Sequence, residues 1–451
     1  MKRLESDVCV VGAGYAGLTA ARRLTQGAKS VTVLEARDRV GGRVFTTRTT
    51  DGTLIDIGGT WLGVGQDAAH DLAKELSVTT YKTWVKGDSV IFIKGQARRY
   101  KGLLPKIGPV ALAAIGLGMA RLDAMAKKVP LDAPWSAPKA AKWDRLSAGA
   151  WVTAHVPRGA GRDLLLATVG GLFTSDPSEV SLLHLLYLIR SANGLNALLS
   201  VEGGYEEDML NGGAGAMADH MAADLGDALQ LGTPVRAVTQ DDRAIEVEGD
   251  GVAVRAQRVI IAIPPALAAD IHYAPGLPTD KKLLLARAPA GAAIKTVAVY
   301  DEPFWRSDGL SGETVGIDSP VSITLDSCAE DAAVGIMSGY VFGPHARKLG
   351  ALPEAERHNV VLEEFARRLG PKARSPRHVV QQDWLAEEWT RGGMIARFAP
   401  GVLTQFGYTL RQPAGRIHWA GTETATTCHG TIDGAVRSGE RAAAEVLAAI
   451  A

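Results

Sequence analysis

An α/β fold, with helical and strand segments mixed along the chain, is what this sequence predicts, and three stretches predict it. The first is "DVCVVGAGYAGLTAARRL", where an apolar run passes through a glycine-rich turn into a helical pattern. The second is "RVIIAIPP", Arg258 to Pro265, a continuous apolar run ended by prolines, as a buried parallel strand would be. The third begins at "RIHWAGTET": a short strand from Ile417 to Ala420, a Gly-Thr-Glu loop, and then Val436, Ala443, Val446, Leu447 and Ile450 at helical spacing within Ile432–Ile450. At 451 residues the chain is long for one core, so two domains or one elaborate unit is expected.

The front element can be read residue by residue. Asp7 to Val11 is a strand, Gly12, Gly14 and Gly17 form a GxGxxG turn, Ala16 to Leu24 is helical, and Ser30 to Leu34 is a second strand closed by Glu35. Gly12 permits the tight turn, Gly14 lets the backbone approach a pyrophosphate, and Gly17 lets the helix lie close on its strand. The helix start then offers unpaired N–H groups and a favourable dipole to the phosphates. Glu35, 18 residues past Gly17, can accept both hydroxyls of an adenosine ribose, and its charge repels a 2′-phosphate. This is a Rossmann-like dinucleotide signature that disfavours NADP. A second glycine turn, "ARDRVGGR", adds Gly41, Gly42 and the Arg43 guanidinium toward the pyrophosphate. A fold holding NAD alone has no evident use for it, so FAD is favoured. Further along, "GTPVRAVTQDDRAIEVEGDGVAVRA" reads as a pair of short β segments with turns at "DDR" and "GDG".

Composition excludes several classes. Lys plus Arg and Asp plus Glu both number 49, which argues against a nucleic-acid or anionic-membrane partner. Cys9, Cys328 and Cys428 give neither a disulfide framework nor a metal-binding spacing. The start lacks the apolar stretch of a signal peptide, and no anchoring tail follows the last amphipathic segment. The apolar run Ile107–Ala120, at 14 residues, is read as too short to span a bilayer and as a helix capping a second domain. A cytoplasmic protein without a metal or membrane anchor is expected; a homodimer is left open.

"VVGAGYAGL", "EARDRVGGR", "DIGGTWLGVGQ", "APAGAAIKTVAVYDEPFWR" and the long segment around "HWAGTETATTCHGTIDGAVRSGE" together resemble the flavin-containing monoamine oxidases, in order from about Asp7 to Leu447. The resemblance implies FAD buried between two interleaved domains, the FAD-binding one at 1–80, 206–285 and 390–451, and the substrate-binding one at 81–205 and 286–389. It implies hydride transfer from the α-carbon of a small amine to flavin N5, giving an imine that hydrolyses to an aldehyde or ketone, with O₂ reduced to hydrogen peroxide. A dehydrogenase using another acceptor, and a catalytically silent FAD-binding homologue, are the alternatives.

The resemblance also assigns residues. Ala16, Ala36, Arg37, Gly58, Gly59, Thr60, Val235, Gly421, Glu423, Thr431 and Ile432 join the glycines, Glu35 and Arg43 around FAD, with Asp433 expected to cap the last helix. Lys295, a charge inside the apolar strand "GAAIKTVAVY", corresponds to the family's lysine that holds a water near the flavin and assists reaction with O₂. Burial without a carboxylate alongside would make it lose its proton. Met394 occupies the position where mammalian enzymes use a cysteine to bond the flavin, so FAD is expected to be non-covalent, with Gly392 and Gly393 making room for the flavin edge. The two cage tyrosines of the mammalian enzymes are Ile395 and Thr431 here, so the aromatic cage is absent. Trp61, Tyr205 and His429 are expected near the substrate, with Leu198 and Ile323 toward the entrance. No charge in these segments suggests recognition of a second amino group.

Overall fold

A computed structural model describes residues 1–450 apart from 104 and 106. Five parallel strands lie at its centre in the order Leu229–Gln230, Val31–Leu34, Val8–Val11, Arg258–Ile261, Ile417–Trp419. Side-chain alternation divides this sheet's faces between two cores. Val8 and Val10 pack against the helices Tyr15–Gln26 and Ile432–Ala449, through Leu18, Leu24, Val436 and Val446. Cys9 and Val11 face a second sheet through Val247 and Val254. The Tyr15 helix can lie against the strand only because residue 17 is glycine: a Cβ there would sit 1.9 Å from the Gly12 carbonyl oxygen.

The second sheet runs Lys2–Glu5, Val252–Ala256, Ile245–Gly249, Val235–Gln240, His272–Ala274. The segment expected to give a pair of strands therefore gives three, because both of its turn signals, "DDR" and "GDG", close a hairpin.

A third sheet of seven strands has the order His378–Asp383, Ala293–Tyr300, Gly335–Phe342, Ile323–Asp326, Leu310–Gly316, Asp88–Ile93, Gln96–Tyr100. One face is covered by the helix Glu354–Leu369, whose Val361, Phe365 and Leu369 pack on Ile294, Met337 and Val341. Its register places Lys295 opposite Tyr340, Tyr340 opposite Ile323, and Ile323 opposite Val315, a row that crosses four strands.

A helical layer completes the molecule. Pro109–Ala126, Ala148–His155, Ala160–Phe173 and Leu182–Ser191 share one core, which also takes in Ile395, Phe398, Leu403 and Phe406. Here one expectation is overturned. The apolar run read as 14 residues belongs to an 18-residue helix of mean hydropathy 1.4, long and apolar enough by length and composition to cross a membrane. The charges Arg121 and Asp123 end the run in sequence but not the helix, which continues to Ala126. Its Ile115, Met119 and Leu122 are buried, while Val110 and Leu117 are exposed.

Candidate active site

One large cavity, about 640 Å³, runs between the parallel sheet, the seven-stranded sheet and the helical layer. At one end are Gly12, Gly14, Ala16, Glu35, Ala36, Arg37, Gly42 and Val235; at the other are Trp61, Leu198, Tyr205, Lys295, Ile323 and His429. Arg43, Gly58, Gly59, Thr60, Met394, Ile395, Gly421, Thr431 and Ile432 line it as well. Gly17, Gly392, Glu423 and Asp433, also singled out in the sequence, lie behind its wall.

The helix at Tyr15 has glycine as its N-cap and no side-chain acceptor, so its first N–H groups are available to an anion. Glu35 is buried and already accepts from two backbone donors, Ala13 N–H at 2.7 Å and Arg37 N–H at 3.0 Å. A lone pair remains on each oxygen for a hydroxyl donor. Arg43, expected to neutralise a pyrophosphate, is instead compensated within the chain. Its Nη1 donates to Glu423 Oε1 at 2.6 Å and to the Met394 carbonyl at 2.7 Å, and its Nη2 to Glu423 Oε2 at 3.0 Å. Burial pushes the Glu423 carboxyl up, but the Arg43 charge and hydrogen bonds bring it below its ordinary value.

The second helix pointing at the cavity begins at Ile432 and is capped by Thr431, whose Oγ1 accepts the Gly434 N–H at 3.1 Å. The expected cap, Asp433, is the second residue of the helix, two past the cap. It is fully buried and bonds the Ala69 N–H at 3.0 Å and Arg437.

Gly392 and Gly393 also differ from expectation. A Cβ on Gly392 would meet Gly291 O at 2.4 Å and Ala290 Cβ at 2.5 Å, and one on Gly393 would meet Ala293 Cβ at 2.7 Å. The close approach is to the chain's own strand at Ala290–Gly291 rather than to a ligand. The next residue, Met394, takes a left-handed φ of 54° and is 47% exposed, presenting an apolar surface in the cavity wall.

Lys295 sits on an interior strand of the seven-stranded sheet, so its side chain does not leave over a sheet edge. It is 2% exposed, and its Nζ donates to Gly58 O at 3.0 Å and Thr60 Oγ1 at 2.7 Å. The ammonium lies 5.4 Å from the Trp61 ring centre and 5.2 Å from that of Tyr340. Burial lowers its pKa to about 8, opposed by the charges of Asp56 and Glu206.

His429 lines the cavity and is hydrogen-bonded. Its Nε2 is 3.1 Å from His184 Nε2. His184 Nδ1 accepts the Phe398 backbone N–H at 3.1 Å, so a neutral His184 carries its proton on Nε2 and donates to His429. A neutral His429 therefore holds its own proton on Nδ1, a buried atom with no partner among the described residues. Burial pulls both rings down, His429 to about 4.

Four cavity or supporting residues were not foreseen: Glu206, Glu313, Tyr340 and His184. The glutamates and Tyr340 line the cavity directly, and burial raises both carboxyls, Glu206 to about 8 with Glu313 adding to the shift.

A family profile described as flavin containing amine oxidoreductase matches residues 15–447. The chain belongs to that family. Amine oxidase [flavin-containing] A of Equus caballus is 37% identical over 98% of this chain and 85% of that protein, and AofH of Mycobacterium tuberculosis is 40% identical over 98% and 96%. Among solved structures, putrescine oxidase bound to putrescine superposes with a TM-score of 0.95 at 35% identity, covering 99% of this chain and 100% of that one. Cyclohexylamine oxidase from Brevibacterium oxydans IH-35A gives 0.95 at 30% identity, covering 99% of each. The chain is thus a flavin amine oxidase, an oxidoreductase acting on amine donors. Its cavity suits a flavin nucleotide: an uncapped helix N-terminus and a ribose-facing carboxylate at one end, a second helix start and an uncovered Met394 at the other.

Proposed function

We propose that this flavin amine oxidase binds FAD without a covalent link and oxidises small amines with O₂ as acceptor. The observation that carries this reading is Lys295, a buried ammonium opening into the same cavity as the Glu35 and glycine end. When bound, FAD supplies the two-electron acceptor for the amine's α-C–H, and its reoxidation by O₂ yields hydrogen peroxide. The protein's own part is to bind, orient and dry. Glu35 and the Tyr15 helix start would hold the ribose and phosphates, and the Ile432 helix start would face the charge that gathers on the flavin ring.

Ile323, Ile395, Leu198 and Val315 form an apolar wall in which a substrate nitrogen is favoured neutral, the form able to react. Lys295, held by Gly58 and Thr60 with its proton weakened by burial, is placed to hold and pass a proton during oxygen reduction. Non-covalent binding is supported by the cysteines: among the described residues all three are free and buried, and none lines the cavity.

The test is a panel of amines that includes putrescine and cyclohexylamine, read by anaerobic bleaching of the flavin band and by peroxide release in air. Bleaching followed by slow recovery in air would turn the reading toward a dehydrogenase. Acid precipitation should leave a yellow supernatant over a colourless pellet; a yellow pellet overturns the non-covalent assignment.

A further inference from the structure

The seven-stranded sheet faces the cavity with a graded surface. From Lys295 the row passes Tyr340 and Ile323 to Val315, three strand spacings or about 14 Å. On that last strand the side chains alternate. Thr314 points away, to Thr324 Oγ1 at 2.9 Å and Arg368 Nη1 at 3.1 Å, while Glu313 and Val315 line the cavity. Glu313 therefore stands on the cavity face at the side remote from Lys295, where its carboxylate accepts only the Ser89 hydroxyl at 2.9 Å. Glu206, on the loop that carries Tyr205, lines the same cavity and is near enough to feel the charges of both Glu313 and Lys295. Its carboxyl accepts no hydrogen bond from the described residues. Beside it the Tyr340 hydroxyl is likewise buried and unpartnered.

Charge balance gives this arrangement its meaning. Three half-buried carboxyls share this cavity region with one buried ammonium: Asp56 and Glu206 act on Lys295, and Glu313 acts on Glu206. Asp56 is internally satisfied by Thr46 and by the Ala214 N–H at 3.1 Å. Neighbouring carboxyls lining one cavity resist ionising together, and a cation placed between them would relieve that cost. A monoamine that reacts as the neutral species brings none.

We propose that Glu206 and Glu313 form the distal end of the amine site and hold a second cationic group, so that the preferred substrate is a diamine with several methylenes between its nitrogens. This rests on the amine-oxidase reading of the cavity. The distal ammonium pairs with the two carboxylates while the apolar wall around Ile323 and Val315 holds the methylene chain. The reactive nitrogen is left toward Lys295.

The experiment compares matched pairs: butylamine with butanediamine, hexylamine with hexanediamine, octylamine with octanediamine. Each is followed by oxygen uptake and by anaerobic flavin bleaching, in the wild-type holoenzyme and in the Glu313→Gln and Glu206→Gln variants. The best diamine should exceed its monoamine in kcat/KM by about tenfold or more, mostly through KM, and this ratio should fall about tenfold in Glu313→Gln. Glu206→Gln should lower it in the same direction. If monoamines react as well as diamines in the wild type, or the ratio survives both substitutions, the distal site is refuted while the amine-oxidase reading stands. If no amine of either kind bleaches the flavin, the underlying reading has failed and this one falls with it.

Discussion

Replacing Glu423 by alanine tests the buried ion pair beneath the cavity wall. Glu423 is 2% exposed and accepts two Arg43 bonds, at 2.6 and 3.0 Å, plus the Ala396 N–H at 3.1 Å. Its removal leaves a mostly buried guanidinium, 22% exposed, without its counter-charge, which costs up to about 3–5 kcal/mol, and leaves a buried N–H unpaired. For 451 residues unfolding together, an unfolding entropy of roughly 0.9 kcal/mol/K converts about 4 kcal/mol into a fall in Tm of ~4 °C. The assay is differential scanning fluorimetry of the apoprotein. Arg43→Met combined with Glu423→Met should recover at least half of the loss, because the pair is removed together. The contribution should also be present at neutral pH and vanish on acidification, since the Glu423 carboxyl titrates below its unfolded value. A Glu423→Ala protein melting within about 1 °C of the wild type would refute the claim that this pair is desolvated.

Other substitutions probe separate features. Gly17→Ala places a methyl on the Gly12 carbonyl and should abolish flavin retention, read as the ratio of the yellow band to protein absorbance. Lys295→Met should slow reoxidation of the reduced flavin in air by about tenfold or more, and an unchanged rate in stopped flow would remove its oxygen role. Apoprotein stability should fall as pH rises from 4.5 to about 8, because Glu206 must lose in the fold a proton it holds more tightly there than when unfolded. It should recover from about 8 toward 10.5, where the unfolded chain is losing the proton that folding already weakened on Lys295. Glu206→Gln should reduce the first slope and Lys295→Met the second, measured by urea midpoints. Finally, ¹⁵N NMR should show His429 neutral at pH 6 with its proton on Nδ1, and a shift pattern of the charged ring would refute the tautomer chain from Phe398.

What the sequence made legible follows physical range. The glycine turn, the Tyr15 helix and Glu35 are set by neighbours within a few tens of residues, and spacing alone located them. Lys295 announced itself as a charge in an apolar strand. Glu313 is also a charge in a strand, but which way it faces depends on pairing with strands at Asp88–Ile93 and Ile323–Asp326. Tyr340 becomes visible only once it is paired with Lys295. His184, in "SLLHLLYLIR", looks like any helix residue until the loop at His429 folds over it. The Gly392–Gly393 pair was recognised as a close approach, yet its neighbour is a strand a hundred residues earlier rather than a ligand. Thr431 was missed as a cap because Asp433, two residues on, is an equally good capping residue by type.

The central parallel sheet joins strands from near residue 10, near residue 260 and near residue 418, and the Tyr15 helix packs on the helix ending at Ala449. A chain leaving the ribosome therefore keeps one border of that sheet unpaired until the strand at Ile417–Trp419 has been made. Truncated products should behave as sticky intermediates that depend on chaperones, whatever the condition of their glycine turns.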